Sequence, residues 1–129
     1  MANWDVTVDE AKQRVYLKLG SGLTVEEQAA ASDACIEAAK RLDDGFDLVN
    51  DMRTFEPTSE EALEEVERGK RGLAENGMGA AVRVVAESTV TQLQFDRAGE
   101  DVEEYELAKA ESVEAAEKLL DKRREQASQ

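Results

Sequence analysis

The segment Phe46-Asp47-Leu48-Val49-Asn50-Asp51-Met52-Arg53 constrains the fold more than any other stretch of the chain. Phe46, Leu48, Asn50 and Met52 fall on one face of a period-two pattern, and Asp47, Val49 and Asp51 on the other, which is the signature of a β-strand. Thr54-Phe55-Glu56-Pro57-Thr58 then turns it directly into a helix start. A strand that runs into a helix N-terminus belongs to an alternating α/β chain, with this strand central in the sheet.

The flanking segments fit that frame. Trp4, Val6 and Val8 alternate with Asp5 and Thr7; a polar turn over Asp9 to Lys12 leads to Arg14–Leu19, where Val15, Leu17 and Leu19 oppose Arg14, Tyr16 and Lys18. The short connection predicts a β-hairpin. Gly20-Ser21-Gly22 breaks the second strand, and because Val25 stands where a dinucleotide fingerprint needs its third glycine, the pair reads as a turn. Thr24 with Glu27 forms a capping box for a helix from Val25 to Leu42, with a stripe of Val25, Ala29, Cys35 or Ile36, Ala39 and Leu42. Thr58 with Glu61 makes a second box, for a helix to about Glu75 with Ala62, Leu63, Val66 and Leu73 inward and a left-handed cap at Asn76-Gly77.

Further along, the apolar block Val82, Val84 and Val85 within Met78–Ala86 predicts a strand covered by helices. Val90 to Ala98 reads as a short helix, and the acidic stretch 100–104 as a linker. Tyr105–Ala110 is assigned as a fifth strand from its place in the alternation, against its local helical propensity. Ser112 caps a last helix, Val113 to about Arg124, with Ala116, Leu119 and Leu120 inside; Glu125 to Gln129 is expected to fray.

The 129 residues read as one domain, 1–129, long enough to bury about two-thirds of its unfolded surface. The single cysteine rules out an internal disulfide, and the chain has no histidine. No window approaches the run of about 18 apolar residues that a membrane span needs, and the first residues lack a signal-peptide pattern, so a cytoplasmic protein is expected. Thirty acidic residues against sixteen basic give a net charge of -14, which argues against nucleic acid or an anionic membrane as partner. Spread along the chain, that excess fits a halophilic protein in a salty cytoplasm, where screening is strong, or an ordinary acidic one.

Few residues offer chemistry. Asp47 and Asp51, on one strand face, have the spacing of an acid/base pair or half a metal site, but no third ligand accompanies them. Arg53 and Arg83 are their expected salt-bridge partners. Cys35, mid-helix and with no cation run nearby to lower its pKa, reads as a small core residue. No catalytic residue, metal or cofactor is assigned.

The order strand, strand, helix, strand, helix, strand, short helix, strand, helix resembles the STAS fold of the anti-sigma-factor antagonists, and more closely the SpoIIAA-like or STAS-like group of small proteins. The likeness is carried by Val15-Tyr16-Leu17-Lys18-Leu19-Gly20, by Phe46 to Arg53, and by Ser112-Val113-Glu114-Ala115-Ala116 with Leu119-Leu120. It implies a four- to five-stranded mixed sheet with helices mainly on one face, no catalysis, and a surface that binds partner proteins. The resemblance also implies a phosphorylatable Ser or Thr after an Asp at the start of the helix that follows the central strand. Asp51 is instead followed by Met52 and Arg53, and the nearest hydroxyls are Thr54, Thr58 and Ser59, where Glu56, Glu60 and Glu61 oppose a phosphate. Thr58 and Ser59 therefore read as caps before they read as phosphorylation sites.

Two functions follow as expectations. The first is a non-enzymatic interaction module that binds a protein partner, or itself as a homodimer, through Asp51, Arg53, Thr54, Phe55, Thr58 and Ser59, with the sheet face of Arg14, Tyr16 and Lys18 as a second surface. The other is a small apolar-ligand carrier or sensor, with a pocket between the first two helices and the sheet near Trp4, Phe46 and Phe55. An enzyme using Asp47, Asp51, Arg53 and Arg83 ranks below both, because salt bridges account for those four residues.

Overall fold

Strand β1 (Trp4–Asp9) folds back on β2 (Arg14–Leu19) in an antiparallel hairpin whose register runs from Trp4 opposite Leu19 to Asp9 opposite Arg14. The computed structural model describes residues 3–56, 59–85 and 106–127. Within the hairpin turn, the Lys12 amide donates to Asp9 Oδ1 at 3.0 Å and Gln13 takes a φ of 55°. Helix α1 (Val25–Ala39) begins at the expected box: Glu27 N donates to Thr24 Oγ1 at 3.1 Å and Thr24 N to Glu27 Oε1 at 3.2 Å. It stops short of Leu42 because the amides of Arg41 and Leu42 bond three residues back, to Ala38 and Ala39, and tighten the chain out of the helix.

After β3 (Asp47–Asp51) comes helix α2 (Glu60–Glu75), which is capped one residue later than expected. Ser59 Oγ accepts from Ala62 N at 3.1 Å, so Ser59 holds the cap, and Thr58 lies outside the described residues. The far end closes as Asn76-Gly77 predicts: Gly77 sits at a φ of 95°, Gly77 N donates to Ala74 O, and Met78 N reaches back to Leu73 O. Those two bonds are the Schellman pair, and they need a residue that tolerates the left-handed conformation. The chain then forms β4 (Ala80–Val84), β5 (Glu106–Ala110) and helix α3 (Val113–Ala127), the last opened by Ser112 Oγ accepting from Ala115 N. Helix α3 continues through residues expected to fray.

The sheet is mixed and five-stranded, in the order β1-β2-β3-β4-β5, with β2 to β5 mutually parallel. The described elements run ββαβαββα, so the nine-element order expected is not matched; the short helix expected over Val90 to Ala98 and the linker 100–104 lie outside the described residues. Of the three described helices, two share one face of the sheet and one covers the other. Helices α1 and α2 pack against each other on one side, while α3 covers β3, β4 and β5 on the other.

Period two in β3 divides two cores. Phe46, Leu48 and Met52 join Val15, Leu17, Leu19, Val66 and Leu73 under α1 and α2. Val49 joins Val82, Val84, Ala116 and Leu120 under α3. Sequence periodicity misplaced part of the helical stripes. On α1 the buried set is Gln28, Ala31, Ser32, Cys35, Ala38 and Ala39, with Val25 and Ala29 only half-buried, and on α3 Leu120 is buried while Leu119 is 44% exposed. The α1 shift has a steric cause: Gly69 and Gly72 of α2 let α1 approach so closely that a Cβ on either would stand 2.8 Å from Ser32 Oγ or 2.5 Å from Ile36 Cγ1.

Candidate functional site

The surface expected to bind a partner is the corner where β3 leaves the sheet toward α2. Asp51 is tied down there by Arg53, which donates from Nε to Oδ1 at 2.9 Å and from Nη2 to Oδ2 at 2.8 Å. This bidentate pair holds the Asp51 carboxyl below its usual range, against the partial burial that pushes the other way. Lys18, opposite Asp51 in register, adds a weaker pull in the same direction. Arg53 and Thr54 are exposed, as is Ser59 with its hydroxyl engaged as the cap. Phe55 is not part of that surface: it is 2% exposed in the core, because the chain past Met52 folds back and Glu56 bridges Ser21 beside the end of β2. The corner thus gathers Asp51, Arg53, Thr54 and Ser59, but not Phe55.

Arg83 does not pair with Asp51. It stands opposite Asn50 in the β3–β4 register, on the α1/α2 face, whereas Asp51 stands opposite Val84 on the α3 face. The sheet face of Arg14, Tyr16 and Lys18 is likewise only partly open. Arg14 is 0% exposed beneath α3, where it donates from Nε and Nη2 to Asp47 Oδ2 at 3.3 and 3.2 Å, and its Nη2 meets Asp121 Oδ1 at 3.0 Å. Arg124 adds a third donor to Asp47 Oδ2 at 2.8 Å, and Tyr16 donates to Glu117. Burial, and then that bond, push the Tyr16 hydroxyl up to about 12. Both carboxylates of the expected acid/base pair are therefore held by arginines. No group of three or more potential metal ligands occurs among the described residues.

Among the described residues, concavities also lie elsewhere. Along the outer side of the hairpin, Trp4, Val6 and Val8 of β1 face Ala34 and Ala38 of α1 across an open groove of about 650 Å3, with Glu37 and Arg41 at its rim. These three apolar residues of β1 are only half-buried, and among the described residues β1 pairs with β2 alone and nothing pairs with its other edge. The sequence pattern marks Trp4, Val6 and Val8 as one inward face; it carries no sign that the strand ends the sheet. A further concavity is internal, about 20 Å3 between α1, α2 and strands β2 and β3, with Gln28, Ser32, Asn50 and Lys70 among its lining. The internal concavity lies between the first two helices and the sheet, where an apolar pocket was expected, but of the residues named for that pocket Phe46 and Phe55 are buried in the core and line neither concavity, and Trp4 lines the outer groove.

No described helix is long and apolar enough to cross a membrane. The sequence matches no protein-family model, and no curated protein matches it.

Proposed function

We propose that the protein is a non-enzymatic interaction module, of the STAS-like kind its sequence resembles, and that it takes an extended segment of a partner protein along β1. The observation that carries this reading is the groove itself. An edge strand offers a row of main-chain donors and acceptors, and half-exposed Trp4, Val6 and Val8 beside it supply pockets for alternate side chains of an added strand. Main-chain pairing would give affinity, and those pockets specificity. The arginine-bound state of Asp47 and Asp51 supports the non-catalytic half of the proposal.

Exposed Arg53 and Thr54 favour a second reading, docking at the corner after β3. They sit past the carboxyl end of a parallel strand, where open α/β sheets commonly place their ligands. A photo-crosslinking residue placed at exposed Glu37 in one variant and at Thr54 in another, irradiated in lysate of the native host, separates the two. Capture of a partner from position 37, lost when Trp4→Ala is added, is the expected result; capture from position 54 alone moves the contact to the corner, and capture of a second copy of the chain identifies a homodimer. No adduct at either position overturns the interaction reading.

A further inference from the structure

The internal concavity between α1, α2 and the sheet contains two unsatisfied groups. Gln28 and Asn50 are each 2% exposed, and Gln28 Oε1 and Asn50 Oδ1 are buried with no hydrogen-bond partner among the described residues. Both side chains line the same cavity of about 20 Å3. A desolvated amide oxygen left unpaired shifts a folding equilibrium roughly tenfold or more, and the large majority of buried polar atoms are paired. Two in one cavity point to a shared partner.

The partner's chemistry is fixed by what surrounds it. The volume exceeds the roughly 10–15 Å3 that one water needs, but has no room for an organic ligand. An apolar occupant would leave both oxygens unpaired, and an acceptor-only anion would meet two more acceptors. A small cation would face Lys70, which lines the same cavity. Ser32 also lines it, but its hydroxyl proton goes to Glu65 O at 2.7 Å, so it has no proton to give either amide. What fits is a neutral donor of two hydrogens on a single heavy atom. We infer that this cavity is a binding site for one resident water, which donates to Gln28 Oε1 and Asn50 Oδ1 and links α1 to the central strand.

Oxygen-17 relaxation dispersion on the native protein, compared with a Gln28→Met, Asn50→Leu double variant, tests this directly. The native protein is expected to hold one more long-lived water than the double variant, with water cross-peaks to the Gln28 and Asn50 side-chain amides in nuclear Overhauser spectra. Asn50→Leu alone, which leaves Gln28 Oε1 without its bridge, is expected to lower the folding constant about tenfold, with Gln28→Met added on top restoring it to within about threefold. Equal numbers of long-lived waters in the two proteins, absence of both cross-peaks, or additive losses in the two single variants would each overturn the site. If the variants fail to fold, the native cross-peaks decide alone, and a change in those amide signals on titrating ammonium would assign the cavity to a cation instead.

Discussion

The two faces of β3 solve the same problem in opposite ways. Under α3, Asp47 is fully buried, and its charge is met by Arg14 from β2 and Arg124 from α3, partners 33 and 77 residues away. Under α1 and α2, three residues further along the strand and on its opposite face, Asn50 is as deeply buried but neutral, and the space beside it is a small cavity between helices that touch through glycine. A charge in the interior has to recruit counter-charges from distant segments, so it fixes where a helix docks. Neutral amides impose no such demand, and there steric contact fixes the docking. Helix α3 is held to the sheet by buried ions, whereas α2 meets α1 through glycine contacts with the more exposed Arg68–Asp33 pair across them.

The largest effect should come from breaking the ionic side. Asp47→Ala removes the fully buried carboxylate that Arg14 meets and leaves it the more exposed Glu117 and Asp121, and loss of one partner of a buried pair costs about 3–5 kcal/mol. Urea unfolding should show that loss as an early midpoint. Replacing both partners, Arg14→Met with Asp47→Leu, should recover stability to within about 1 kcal/mol of the native protein, since such pairs are often no better than apolar substitutes. A double variant as weak as the single would mean that α3 depends on the charges for its position and not only for their mutual compensation.

On the other side, Cys35 reports how closed the shape-held interface is. It lines the internal cavity, and burial pushes its thiol up to about 12. At pH 8 its thiolate should be about a thousandfold scarcer than that of a free thiol, so reaction with an aromatic disulfide reagent should be slower than in urea by a similar factor. Fast reaction of the folded protein would show that α1 and α2 part readily. Gly69→Ala should act more mildly. Its Cβ would enter at 2.8 Å from Ser32 Oγ, whose hydroxyl donates to Glu65 O, and the overpacking cost of about 1–3 kcal/mol is offset by about 1 kcal/mol of helix propensity. A net loss of up to about 2 kcal/mol is expected in the same unfolding assay; a gain would mean that the helices are not in close contact there.

This contrast marks what a sequence discloses. The hairpin, the Thr24 box, the Gly77 cap and the two-faced pattern of β3 were legible because each depends on residues within a few positions of one another. The fate of Asp47 was not, because its partners come from two other elements and nothing local marks Arg124 as one of them. Arg83 was assigned to Asp51 for want of a register; a shift of one residue moved it to the opposite face. Phe55 in its turn looked like a surface residue, and the stripe of α1 was misjudged because glycines on a different helix decide which α1 residues are buried. Of the expected partner surface, the Asp51–Arg53 contact and the exposure of Thr54 were readable, whereas the groove beside β1 depends on that strand being an edge.

The smallest effect belongs to the second carboxylate on the α3 face, and it sharpens the comparison most directly because Asp51 shares strand and face with Asp47. Arg53 holds the Asp51 carboxyl low, yet the Arg53 side chain is 44% exposed, and solvent screens such a pair to about 0.2–1 kcal/mol. Lowering a carboxyl in the folded state means that, as pH falls, the unfolded chain takes up its proton first. The stabilisation is therefore complete above the unfolded value near ~3.9 and disappears as pH drops through the lower, folded value. Arg53→Ala should cost less than about 1 kcal/mol at pH 7 in urea unfolding, and the two proteins should converge once the pH has fallen through the lowered Asp51 value. A difference above about 2 kcal/mol, or one that persists in acid, would show that Asp51 is as enclosed as Asp47; the expected small and acid-sensitive one would show that the cover of α3, not the carboxylate or the strand, decides what a charge on this face is worth.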